Sequence, residues 1–168
     1  MENKPFIFGV ATSGDNFTDR EKETLRLVLN FQHVVNTVLI SPRRWGKTSL
    51  VQKACSLAQS DKLKIVYLDI FSCRSDRDFY DAFASAILKQ TSSKLDEWLD
   101  HAKLFLSRIS PKISMGTDPM TDFSISLEIN PKSNNIDEIL QLPEKIAQKK
   151  GYNIVVCIDE FQQIAEFK

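Results

Sequence analysis

The chain has little of what marks a special-purpose protein. Five glycines and six prolines among 168 residues exclude a collagen-like or low-complexity chain. Its three cysteines, Cys55, Cys73 and Cys157, are odd in number and widely spaced. That excludes a disulfide framework and metal-like pairing, and points to reduced thiols in a cytoplasmic protein. The two histidines, His33 and His101, have no cysteine or carboxylate at ligand spacing and read as structural or exposed. No Ser-His-Asp or Cys-His arrangement follows from the spacing. No apolar run approaches the roughly 18 residues of a membrane span, and residues 1–14 lack a signal-peptide core, so a membrane is not an expected partner. Neither sign of charge dominates: 22 basic and 22 acidic residues give a formal net charge of zero. This excludes a whole-chain field drawing it to nucleic acid, though local patches remain open. What is present is ordinary for a globular domain, with 42% apolar and 26% charged residues at a length typical of one domain.

Periodicity alternates along the chain. Thr18-Asp19-Arg20-Glu21 matches a capping box. Behind it Leu25, Val28, Phe31 and Val35 recur at helical steps, predicting a helix over 19–35 that stops at Asn36. Thr37-Val-Leu-Ile40 predicts a buried strand. Leu50, Val51, Ala54, Leu57 and Ala58 give a helix from Lys47, and Lys64–Ile70 a second strand. Two helices follow. The first is capped by Ser75 or Asp76 with a face of Phe79, Tyr80, Phe83, Ala84 and Ile87; the second carries Leu95, Trp98, Leu99, Ala102, Phe105 and Ile109. Strict alternation over 123–129 predicts a half-solvated strand, and Lys112–Met115 could pair with it across Gly116–Pro119 as an antiparallel hairpin. A helix bent or restarted at Pro143 and ended by Gly151 precedes a third buried strand, Asn153–Ile158, and then a further helix. Strand alternating with helix predicts an α/β fold with a mainly parallel core sheet and a hairpin near 111–131.

Two motifs carry chemistry. Ser41-Pro42-Arg43-Arg44-Trp45-Gly46-Lys47-Thr48-Ser49 lies between a predicted strand and a predicted helix and fits the phosphate-loop pattern G-x-x-x-x-G-K-[ST] at every position but Ser41. Gly46 allows the backbone close to phosphates, and the helix start offers amide N–H groups to an anion. Lys47 suits the β and γ phosphates, and the Thr48 hydroxyl suits Mg2+. Ser41 requires the loop to begin in a backbone region open to a residue with a Cβ. Arg43 and Arg44 are solvated loop charges or extra phosphate contacts, and Trp45 is a packing residue or a wall beside the nucleotide. The second motif is the apolar Ile154–Ile158 followed by Asp159 and Glu160. A strand delivering two carboxylates at its C-terminal end can hold a metal through water (Asp159) and polarise the attacking water (Glu160). Either motif alone is common; their conjunction points to an NTPase. Asp69, ending the second strand, reads as a solvated strand-end carboxylate.

The chain resembles the archaeal-type ATPases of the AAA-like, ASCE branch of P-loop NTPases, relatives of STAND and origin-recognition ATPases. The likeness rests on Asp15–Glu21, Leu39–Leu50, Tyr67–Phe71 and Cys157–Gln162, and covers nearly the whole chain. It implies a three-layer P-loop fold, a Walker A loop at Ser41–Thr48, a Walker B pair at Asp159 and Glu160, and Phe17–Arg20 beside the adenine. It implies ATP or ADP with Mg2+ as ligands, and Glu160 and Lys47 as the catalytic pair.

In such ATPases a later strand inserts between the Walker A and Walker B strands and carries a sensor residue, and downstream parts supply an arginine and a C-terminal region. The sequence stops a few residues past Glu160, so the expectation is a partial ATPase domain over 1–168, an N-terminal fragment of a longer ATPase. It comprises an N-terminal segment and helix (1–36) and the hairpin as an insertion. The gap in such a sheet would stay open, be filled irregularly, or be filled by another copy, as a homo-oligomer or strand-swapped dimer. The expected function is ATP binding, with hydrolysis a property of the longer parent and weak or absent in the fragment. The rival expectations are a STAND-like nucleotide switch in a signalling or scaffold protein, a DNA-associated ATPase and a small-molecule kinase. The client, protein or DNA, is not legible here.

Overall fold

A computed structural model of the chain describes residues 20–42, 44–92, 110–115, 123–128 and 135–167. They belong to two compact units, Met1–Leu63 and Lys64–Lys168.

The first unit is a pair of packed helices. Helix α1 spans Glu21–Gln32 and α2 spans Lys47–Ala58. They lie against each other through Leu27 and Phe31 on one and Leu50, Ala54 and Ala58 on the other, all buried. The residue before α1 is Arg20; the proposed cap Thr18 lies outside the described residues. The buried face of α1 is Thr24, Leu27 and Phe31, not the expected Leu25–Val28–Phe31–Val35 stripe. Leu25 is exposed, and Val35 lies past the helix end. The helix also stops before Asn36. The Val34 amide bonds to the Phe31 carbonyl and the Val35 amide to the Asn30 carbonyl, the two-bond Schellman closure. The residue that turns out of the helix is Val34, at φ 54°, where glycine is usual.

Thr37–Ile40 forms no strand among the described residues, and Val38 and Ile40 are 84% and 92% exposed. This corrects the expectation of a buried strand. β-branched residues favour extended backbone, but a strand needs a partner's N–H and C=O groups, and this unit supplies no described ladder.

The second unit holds the sheet. Strands β1 (Leu63–Asp69) and β4 (Asn153–Asp159) pair in parallel as a two-stranded, unclosed sheet. Between them run α3 (Asp76–Thr91), the antiparallel pair β2 (Ser110–Met115) and β3 (Phe123–Glu128), then α4 (Asn135–Leu140) and α5 (Leu142–Lys150). A parallel pair requires a long crossover of this kind, and the class is α/β as expected. In the hairpin, Lys112 stands opposite Ser126 and Met115 opposite Phe123. Its turn and the helix expected over 95–109 lie outside the described residues.

Val66, Leu68 and Ile70 from the β1 segment, Phe83, Ala84, Ile87 and Leu88 from α3, and Ile139, Leu142 and Ile146 from α4 and α5 make one buried cluster. Ile154, Val156 and Ile158 of β4 pack against it only partly buried. The expectation of a buried third strand is thus corrected to half-buried: β4 has one pairing neighbour, β1, in its sheet. Ser75 caps α3 in a reciprocal capping box with Asp78. Gly151 ends α5 at φ 73°. The final segment, Phe161–Glu166, where a further helix is expected, is a 3-10 helix.

Candidate functional site

The loop before α2 belongs to the first unit. Gly46 stands at the helix start with φ 67°, a left-handed conformation that costs a residue with a Cβ strain but glycine almost none. Arg44, two residues earlier, is also left-handed, at φ 65°. Ser41 is not among the positive-φ residues, so the loop begins in a region open to serine, as its side chain requires. Ser41 is half-buried; Pro42, Arg44, Gly46 and Trp45 are exposed, and Arg43 lies outside the described residues.

Lys47 opens α2 and turns back over this loop, its Nζ donating to the Ser41 carbonyl at 2.9 Å. From α1's side the Arg20 guanidinium donates to the Trp45 carbonyl at 2.7 Å, and it also meets Glu23 at 3.5 Å. Two cations therefore hold two carbonyls of one loop. The first turn of α2 contains no acidic residue. A helix start presents backbone amides that the helix itself cannot satisfy, and its dipole favours an anion there. Thr48 and Ser49 occupy that first turn, half-buried and buried respectively. Phe17 lies outside the described residues.

The carboxylates belong to the second unit. Asp159, at the end of β4, is half-buried and accepts from both sides. Its Oδ2 takes the Tyr67 hydroxyl at 2.6 Å and its Oδ1 the Glu160 amide at 2.9 Å. Glu160 follows at φ 56°, and its side chain accepts from the Gln162 amide group. Non-glycine residues at positive φ concentrate where the surrounding structure over-determines them, often at functional sites. Among the described residues only Val34, Arg44 and Glu160 are of this kind, and the last two fall in the two sequence motifs. Asp69 is exposed, and its Oδ1 accepts the Phe71 amide in its own turn at 2.9 Å, as expected of a solvated strand-end carboxylate.

The structure thus gathers Arg20, Ser41, Trp45 and Lys47 around one loop, and Asp159, Glu160, Tyr67 and Gln162 around one strand end. Tyr67 and Gln162 were not singled out from the sequence for chemistry. For Tyr67 the available signal was one hydroxyl in the aliphatic run Ile65-Val66-Tyr67-Leu68. For Gln162 the signal is its place at the end of the Asp159-Glu160-Phe161-Gln162 run that carries part of the resemblance.

Among the described residues no group of three or more His, Cys, Asp or Glu side chains is placed to hold a metal ion; Thr48 in the first unit and Asp159 in the second are each hard-oxygen groups of the kind Mg2+ accepts. No helix among the described residues is long and apolar enough to cross a membrane.

No curated protein and no solved structure matches the chain significantly. The family model described as the KAP family P-loop domain matches residues 45–165, more than two thirds of the sequence, from the loop's Trp45 to beyond the Asp159-Glu160 pair. This is a P-loop NTPase family, and its domain implies nucleotide binding. With that match over the elements that bear both motifs, the chain belongs to the KAP family of P-loop domains.

Proposed function

We propose that the chain is the ATP-binding module of a P-loop ATPase, with Ser41–Thr48 as the Walker A loop and Asp159 and Glu160 as the Walker B pair. The observation that carries this reading is Lys47 at the head of α2, folded over its own loop onto the Ser41 carbonyl. An ammonium so placed can exchange one carbonyl for phosphate oxygens by a short swing of its side chain. The loop amides and the start of α2 receive the phosphates, and Ser49 anchors the turn from its buried position. Arg20, through the Trp45 carbonyl, braces the loop on the side read as the adenine side. The exposed Pro42, Arg44 and Trp45 form the rim; Phe17 and Arg43, also assigned to the nucleotide, lie outside the described residues.

Thr48 and, through water, Asp159 would hold Mg2+, which when bound neutralises charge on the β and γ phosphates. Glu160, at the left-handed turn that ends β4, would take the proton from the attacking water, and the Gln162 amide group donates to its carboxylate. The neutral overall charge and the AAA-like and STAND-like resemblance support a nucleotide-handling module rather than a DNA-binding one. Residues 1–168 are read as a P-loop ATPase domain with the 111–131 hairpin as an insertion.

Calorimetric titration with Mg-ATP tests this. The expected result is binding by the wild type and, for Lys47→Ala, affinity lower by about tenfold or more, the loss of one charge-assisted contact. Equal binding by both proteins, or none by the wild type, overturns the reading.

A further inference from the structure

Strand β1 is aliphatic and buried at Ile65, Val66 and Leu68, yet between them stands a half-buried tyrosine. Its hydroxyl donates to Asp159 Oδ2 at 2.6 Å, across 92 residues of sequence. That length falls in the short, charge-assisted range for a hydroxyl on a carboxylate. The other oxygen of Asp159 accepts the Glu160 amide. The two bonds arrive one per oxygen, so they fix both rotations of a side chain with only two. Phenylalanine would fill the same half-buried space. The hydroxyl therefore does something packing does not ask for.

We propose that Tyr67 is the positioning residue for Asp159: its hydroxyl sets the plane of the carboxylate before nucleotide and a divalent cation arrive, and so sets the magnesium dependence of nucleotide binding. This rests on the reading above, in which Asp159 faces the metal. A carboxylate that acts through a water must point that water in one direction, and outer partners of this kind orient the groups that hold a metal. Tyr67 touches neither phosphate nor metal; it acts through Asp159.

The test is ATP titration of the wild type, Tyr67→Phe, Asp159→Asn and the double variant, each with EDTA and across a range of Mg2+ concentrations. In EDTA, Tyr67→Phe should bind ATP as the wild type does. Its half-saturating Mg2+ concentration should rise by about tenfold, the lower end of what loss of such an outer partner costs. In the Asp159→Asn background the same change should add nothing, because the pathway through the carboxylate is already cut.

Three results overturn the proposal: a Tyr67→Phe protein that titrates like the wild type, an equal loss of affinity with and without magnesium, or the same shift in both backgrounds. The last two are what a purely structural tyrosine produces. A wild type that binds no ATP, or binds it without regard to magnesium, overturns the underlying reading as well. A magnesium-dependent wild type matched by Tyr67→Phe overturns the role of the tyrosine alone. Should Tyr67→Phe fail to fold, ring-labelled tyrosine in the wild type decides. The chain has three tyrosines, Tyr67, Tyr80 and Tyr152, assignable through Tyr80→Phe and Tyr152→Phe. Adding Mg2+ to the ATP-bound protein should move the Tyr67 resonance, and an unmoved resonance overturns the proposal.

Discussion

Val34 bears a conformation that its side chain resists. At φ 54° a β-branched residue pushes its Cβ toward the following carbonyl, a strain of roughly 1–2 kcal/mol. The closure of α1 holds it there, through the Val34 and Val35 amides on the Phe31 and Asn30 carbonyls. Because Val34 is 55% exposed, trimming it forfeits little burial. Val34→Gly should therefore stabilise the protein by about 1 kcal/mol and raise the melting temperature by roughly 2–4 °C, read by thermal denaturation. A drop would mean that the valine side chain contributes packing that outweighs its backbone strain. Gly46 and Gly151 are the contrasting cases, the left-handed residues where glycine already stands. A glycine-dependent conformation at Gly46 was legible from the Gly-Lys-Thr pattern opening a helix, and its φ of 67° agrees with that. The Tyr67–Asp159 pair was not legible: it depends on how two strands far apart in sequence register, and no local pattern encodes that.

Among the elements, α3 is the one whose start is most fully specified. Ser75 accepts the Asp78 amide at 3.2 Å, and Asp78 accepts the Arg74 and Ser75 amides at 2.9 and 3.1 Å. The Arg74 amide foremost, then Ser75, holds the Asp78 carboxyl below its ordinary value of 3.8. A carboxyl whose native pKa is depressed contributes stability that is complete above the ordinary value and lost as pH falls through the native one. The melting temperature of the wild type should thus fall on acidification below about pH 4. Asp78→Ala should be less stable at neutral pH and show a shallower fall. Parallel curves for the two proteins would show that the cap contributes nothing to acid sensitivity. This cap, both helices of the first unit and the strands of the parallel pair were legible because their signals are local: capping residues, a 3.6-residue period, a short apolar run. Thr37–Ile40 carries the same run and forms no strand, because propensity cannot supply a neighbour. The face of α1 shifted for a related reason. Its apolar residues suit two overlapping stripes, and packing against α2 chose the one through Thr24, Leu27 and Phe31.

At the scale of the whole molecule, an uncharged, β-branched run exposed at Val38 and Ile40 has the composition that drives strand-to-strand aggregation. Val38→Thr with Ile40→Lys should leave the melting temperature within about 1 °C, as expected for surface positions. It should also lower light scattering on concentration. A marked loss of stability would show that these side chains are covered in solution. The parallel pair has a consequence in time. Strands β1 and β4 meet only after 83 intervening residues, from Ile70 to Tyr152, have been made, and such a closure is slow relative to helix formation. On a ribosome adding about 5–20 residues each second, β1 waits roughly 4–17 s for its partner. Until then Tyr67 has no aspartate to meet, and the nascent chain carries the loop before α2 well before it carries Asp159 and Glu160.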